Sequence, residues 1–177
     1  MKFMILKAIV GVVIMLSGCS GNSLKQYSDT TPKVDLKEYF NGPIEAWGIV
    51  QDWRGRIVSR FDVRMEGTWE GNTGKLTEWF HYYDGTRQKR VWTIKKQSDG
   101  NYEGTASDII GKATGETSGS AARWNYVMNL PVNGTTYRIR FDDWMWMMND
   151  GVLINRSYLR KFGITVAELT LFLKKKI

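Results

Sequence analysis

One cysteine, one histidine and three prolines are all that 177 residues contain of these types. With Cys19 alone, no disulfide can form within one chain, and no cysteine-based metal site exists. With His81 alone, a two-histidine metal site is impossible, and a Ser-His-Asp triad would have to use that residue. Its place in the stretch HYYDG marks it as a strand-surface residue. No apolar run reaches the roughly 20 residues that a membrane-spanning helix needs. A phosphate loop is missing too: Gly111-Lys112 is followed by Ala113, and no glycine stands five residues earlier. Asp142 and Asp143 are neighbours on one strand, so they point to opposite faces and cannot flank one substrate bond as a hydrolase pair must. These absences leave no cofactor motif, no metal site and no catalytic constellation. The expectation is a protein that is not an enzyme.

The N-terminus reads MKFMILKAIVGVVIMLSGCSGNS, with basic Lys2 and Lys7 before a short apolar stretch, Ala8 to Leu16. This fits a secretory signal. It ends in Leu16-Ser17-Gly18-Cys19, which resembles a bacterial lipobox. The resemblance implies removal of residues 1–18 and lipidation of Cys19. Ser20 after the cysteine, in place of Asp, points to the outer membrane by the sorting pattern of such lipoproteins. Removing 18 of 177 residues leaves 159, and losing Lys2 and Lys7 lowers the formal charge from +7 to +5. That length suits one domain with a real core. The residual positive charge reads as a solvated, mildly basic surface, and as a counterpart it fits anionic lipid headgroups or lipopolysaccharide better than nucleic acid in an exported protein. Residues 19–35 are polar around the lipidated cysteine and read as a flexible tether. Leu36 to Phe40 is a short helical turn or the lead into the first strand.

From residue 36 to 177 the chain reads as one all-β domain. Ile57, Phe61, Val63 and Met65 share one face of a strand, and Arg60, Asp62 and Arg64 share the other. Arg54-Gly55, Asp84-Gly85, Asp99-Gly100, Asn133-Gly134 and Asp150-Gly151 supply tight-turn signals at short spacing. The pattern predicts an antiparallel up-and-down meander closing into a barrel of about 8–10 strands. Glycines 111, 115 and 119 mark bulges, bends or crowded backbone contacts. Near the C-terminus, Thr165-x-x-Glu168 resembles a helix capping box. Ala167, Leu169, Leu171 and Leu173 alternate as a strand would, and pairing of the last barrel edge favours the strand.

A two-residue turn at Asn133-Gly134 sets Leu130 against Tyr137, Met128 against Ile139, Tyr126 against Phe141 and Trp124 against Asp143. Apolar and polar residues then separate onto two faces, which fixes the register. Trp124, Tyr126, Met128, Tyr137, Phe141 and Met145 point inward as candidate pocket residues. Asp143 points inward with them and needs a partner or a raised pKa. If the next turn holds two residues, Arg156 shares the Asp143 face and supplies that partner. A three-residue Asn149-Asp150-Gly151 loop would break the alignment. On the outward face Trp144, Trp146 and Met148 take the places that Arg138, Arg140 and Asp142 held. Either a bulge at the Asp pair swaps the faces, or the barrel shows an apolar outer patch for a lipid, a partner or the tether itself.

AWG at 46–48, YDG at 83–85, Asp108/Gly111/Gly115 leading to Trp124, DDWM at 142–145, INR at 154–156 and KFG at 161–163 occur in this order. The ordered set resembles the bacterial lipoprotein family known as domain of unknown function 3833, from about Leu36 to the C-terminus. The resemblance implies a calycin-type barrel, the class that includes lipocalins. The lipocalin Gly-x-Trp opening is absent, because Glu45-Ala46 precedes Trp47. It carries over no catalytic residue, and the genomic company of such proteins implies at most a role near membrane lipid.

Together these readings predict a membrane-anchored, periplasm-facing lipoprotein that binds or presents a lipid or other apolar ligand. No cofactor and no nucleic acid are expected. The alternative is a structural or assembly lipoprotein that docks a protein partner through Trp144, Trp146 and Met148.

Overall fold

The computed structural model describes residues 23–132 and 134–176. The expected signal segment 1–18, Cys19 and Asn133 of the predicted turn lie outside the described residues.

A short helical turn, α1 (Leu36–Tyr39), precedes ten strands. They are β1 (Gly42–Asp52), β2 (Ile57–Glu70), β3 (Thr73–Tyr82), β4 (Arg87–Lys96) and β5 (Tyr102–Thr105), then β6 (Ala113–Ser118), β7 (Ala121–Val132), β8 (Thr135–Met147), β9 (Val152–Lys161) and β10 (Ile164–Lys175). Each strand pairs antiparallel with its sequence neighbours, and β10 pairs with β1, so the sheet closes into a barrel with no free edge. This is the predicted all-β meander, with ten strands, and it is consistent with a calycin-type architecture. The alternation at 167–173 belongs to a strand, because β10 must bond both β9 and β1 to close the sheet.

Phe61, Val63 and Met65 are buried inside, as their period-2 pattern predicts. Ile57 departs from that pattern and is 55 % exposed, and its neighbour Val58 is 60 % exposed. The first residues of β2 run past the packed interior, so both of their faces meet solvent.

One end of the barrel is closed by α1. Asp35 caps this turn by accepting from the backbone N–H of Lys37 at 2.9 Å and of Glu38 at 3.1 Å. The same carboxylate accepts from the Tyr102 hydroxyl at 2.9 Å and pairs with Lys96. Burial works to raise the Asp35 pKa, but the bonds from Lys96, the backbone and Tyr102 win and hold it below the usual carboxylate range. Leu36 and Tyr39 are buried, and the Trp69 indole donates to the Phe40 carbonyl at 3.1 Å.

The segment before α1 is docked on the barrel rather than loose, which corrects the flexible tether expected over 19–35 for its described residues. The Val34 N–H donates to the Gly119 carbonyl at 2.8 Å, and the Ser120 N–H donates to Thr30 Oγ1 at 3.0 Å. Gly119 has φ +52, and a Cβ there would lie 1.7 Å from the Tyr27 carbonyl oxygen. Gly119→Ala therefore cannot keep the strap in place. Its expected result is faster tryptic cleavage at Lys25 and Lys33, measured by mass spectrometry of the digest. A cleavage rate equal to wild type would show that the docking does not depend on this approach.

Candidate functional site

Inward-facing side chains leave a cavity of about 120 Å³ beside α1. Leu36 and Phe40 form its floor, and Phe61, Met65, Leu76, Phe80, Trp92, Ile94, Trp124, Met145, Leu169, Leu171 and Leu173 form apolar walls. Glu78, Arg90, Tyr126, Asp143 and Asn155 bring polar atoms to the same space. The aromatic walls are mutually locked. Trp92 meets Trp124 and Tyr126 edge-on at 6.0 and 5.5 Å, and Tyr126 stacks on Phe141 at 4.8 Å.

Trp124 lies across two glycines. A Cβ on Gly115 would fall 2.2 Å from its ring, and one on Gly104 would fall 2.5 Å from it. This is why the glycine-rich stretch is there: β5 and β6 must have no side chain where the indole lies flat.

The polar group centres on Arg90, on β4. Its Nε donates to Asp108 Oδ2 at 2.9 Å, and a terminal nitrogen stands 2.8 Å from the same oxygen. The other terminal nitrogen faces Glu78 Oε2 at 3.6 Å, past hydrogen-bond range. Asp108 comes from the β5–β6 connection. Its carbonyl accepts from Asn129 N–H at 3.0 Å, and Ile110 N–H donates to Val127 O at 2.8 Å, which folds that loop over β7. Burial works against the Arg90 charge, but Glu78 and Asp108, with Tyr126, outweigh it and hold the guanidinium protonated.

Asp143 enters from β8 opposite Trp124 and Ser157. It is half-buried, yet Oδ1 is enclosed and has no hydrogen-bond partner. Burial pushes its carboxyl from 3.8 up to about 7, against the opposing pull of the Ser157 and Tyr126 hydroxyls and of Arg90. Burial likewise pushes Glu78 above the usual range against the attraction of Arg90. Tyr126 is held well above its ordinary value by burial and then by Asp143, so its hydroxyl keeps its proton.

The predicted β7–β8 register holds, from Trp124 opposite Asp143 to Val132 opposite Thr135. Trp124, Tyr126, Asp143 and Met145 come together at the cavity. Phe141 and Met128 are buried in the surrounding core, and half-buried Tyr137 packs against it. Arg156 does not join them. The β8–β9 connection is the three-residue loop Asn149-Asp150-Gly151, with φ of 58° and 69° at Asp150 and Gly151. Moving the register by one residue turns a side chain to the other face. Ser157 therefore faces Asp143, while Arg156 lies opposite Trp144 and pairs outside with Glu168. In the INR motif it is Asn155 that points inward, bonding the Trp144 carbonyl at 3.1 Å and accepting from the Ser157 hydroxyl at 3.2 Å.

Of the readings of the outer patch, cover by the protein's own tether is the one found at Trp144, which is not an open docking face. No bulge interrupts β7 and β8 at the Asp pair, so Trp144 does point outward, but it is only 3 % exposed. Tyr27 of the docked segment lies 6.4 Å from its ring, Arg123 lies over it at 5.1 Å, and Trp146 stacks on it at 6.3 Å. Trp146 is half-buried, and Met148 is exposed at the loop. Asp142, beneath Arg123, accepts from its Nε at 2.7 Å and its terminal nitrogen at 3.0 Å. His81 is on the exposed strand surface, as expected.

Five polar residues of the site escaped the sequence reading: Glu78, Arg90, Asp108, Asn155 and Ser157. The signal existed for two of them. Glu78 alternates with Leu76 and Phe80, and Arg90 with Trp92 and Ile94, so both charges stand at inward positions.

No curated protein matches the chain. A family model described as "Protein of unknown function (DUF3833)" matches residues 13–175. That match spans nearly the whole sequence, and with the motif order and the closed barrel it means that the chain belongs to the DUF3833 family.

Proposed function

We propose that this protein is a cell-envelope lipoprotein, held by lipid at Cys19 on the periplasmic face of the outer membrane, whose barrel binds one small apolar or amphipathic molecule. The observation that carries this reading is the cavity inside the closed barrel, apolar on most sides and polar at a few points. Its size of about 120 Å³ suits a single ring or a short run of acyl chain. The lipobox-like Leu16-Ser17-Gly18-Cys19 supports the anchor. Binding rather than catalysis is supported by His81 on the outer surface and by Asp142 and Asp143 on opposite faces.

Every strand, α1 and the docked segment lie within residues 23–176, so the chain without residues 1–19 retains the whole barrel. Titrating that protein, delipidated, with medium-chain alcohols and acids should shift tryptophan emission, because Trp92 and Trp124 line the cavity. Mass spectrometry should find lipid in the undelipidated protein. No shift with any amphiphile, together with no co-purifying lipid, would sink the reading. Cys19→Ser in the full chain should move the protein from the membrane to the soluble fraction, as read by fractionation.

A further inference from the structure

The interior holds more negative than positive groups. Arg90 is the one cation beside the cavity among the described residues, and three carboxylates surround it: Glu78, Asp108 and Asp143. Asp108 takes the fork of the guanidinium, so Arg90 has little left to offer an anion. Meanwhile one oxygen each of Glu78, Asp108 and Asp143 is enclosed with no hydrogen-bond partner. Glu78 is 8 % exposed and faces the cavity, so Oε2 is a buried acceptor with no hydrogen bond, offset only by Arg90 at 3.6 Å. These carboxylates do not converge as metal ligands: among the described residues no group of three such side chains could hold a metal ion. An apolar wall on one side and orphaned acceptors on the other describe a ligand with a hydrocarbon body and a donor head.

We propose that the barrel selects amphiphiles whose head donates hydrogen bonds, an alkylammonium above all, and disfavours those with a carboxylate head. The inference rests on the ligand-binding reading given under Proposed function and specifies the head group. An ammonium brings three donors and a positive charge to Glu78 and Asp143, and a hydroxyl brings one donor and no charge. A carboxylate brings a further acidic group to a site that already holds three, with one guanidinium already engaged. The groups that face Asp143 are Tyr126 from β7, Ser157 and Asn155 from β9, Arg90 from β4 and Glu78 from β3, with Asp142 beside it on the outer face of β8. Of these, Asp143 is the carboxyl that burial carries up to about 7, and burial raises Glu78 above its ordinary range as well. Ammonium binding therefore strengthens as pH rises through neutrality, because the carboxylate form is the one it pairs with. Carboxylate binding follows the opposite slope.

The test compares hexylamine, hexanol and hexanoate on the delipidated chain without residues 1–19, by tryptophan emission and calorimetry at pH 6 and pH 8. The expected result is hexylamine tighter than hexanol and hexanol tighter than hexanoate, with at least about tenfold between the first and last at pH 8. The amine-to-acid ratio should fall at pH 6. In the Glu78→Gln/Asp143→Asn variant the ratio should collapse towards one while hexanol still binds. Retained hexanol binding shows that the variant barrel is folded, and circular dichroism checks it independently. Hexanoate binding as tightly as hexylamine overturns the inference and leaves the ligand-binding reading standing. An amine preference that survives in the double variant overturns it too. Failure of all three amphiphiles to bind overturns both.

Discussion

Asp143→Asn is expected to stabilise the protein at pH 8 and to remove most of the stability difference between pH 5 and pH 8. In the folded protein the Asp143 carboxyl keeps its proton up to about pH 7, and unfolded it releases it near 3.8. Between those values folding takes up a proton, so stability falls as pH rises. The favourable contribution is complete below about 3.8 and is gone above about 7. The interval sets an upper limit of roughly 4 kcal/mol, and relaxation around the charge brings the expected gain of the asparagine to roughly 2 kcal/mol. In a protein of this size that is about 4–8 °C in Tm at pH 8. Carboxylates held below their ordinary range, such as Asp35, act only below about pH 4 and leave this window alone. Glu78 acts in the same sense as Asp143, so a smaller slope should persist in the variant. Urea unfolding at both pH values checks this. Equal stabilities of wild type at pH 5 and 8 would mean that Asp143 is ionised inside the barrel.

Gly115→Val carries the largest expected loss, 3 kcal/mol or more, and failure to fold is within that range. The added Cβ would meet the Trp124 ring at 2.2 Å, and the ring has no retreat because Trp92 stands 6.0 Å away and Gly104 lies under its other edge. Gly115→Ala is the milder form that should still fold. Thr114→Val, one residue earlier on the exposed face of β6, should change stability by less than about 0.5 kcal/mol. The mechanism is checked by repeating Gly115→Ala in a Trp124→Leu background. There the extra cost of the alanine should largely vanish, since the two sites share one space. An undiminished cost would place the strain in the backbone of β6 instead.

The barrel and much of its interior were legible in the sequence, and the reasons lie in particular residues. The hairpin of β7 and β8 was readable because every second side chain from Trp124 to Leu130 and from Tyr137 to Phe141 is apolar or aromatic, which leaves one register that buries them. The partner of Asp143 was not readable, because Asn149-Asp150-Gly151 can turn with two residues or with three, and that single residue decides which face Arg156 takes. Glu78 and Arg90 could have been placed by alternation, but charged residues are ordinarily assigned outward. Asp108 had no local signal of its role. Its position depends on a loop folded by bonds to β7, far away in sequence. The strap at 23–35 has the composition of a linker, and its docking rests on long-range contacts at Gly119 and Ser120 that composition does not record.

That strap also gives the molecule an orientation. Tyr27 and Thr30 are fastened beside the β6–β7 turn, at the end of the barrel that α1 closes. From Cys19 to Ser23 is four residues, a reach of at most about 14 Å. A lipid on Cys19, as proposed above, would hold the sealed end down against the bilayer, with too little slack for the barrel to turn over. The opposite rim, which carries exposed Trp53, Tyr83 and Phe162, would then face away from the anchoring leaflet. Anchored in that way the protein would stand as an upright post, and whatever reached those three aromatic tips would come from the aqueous side.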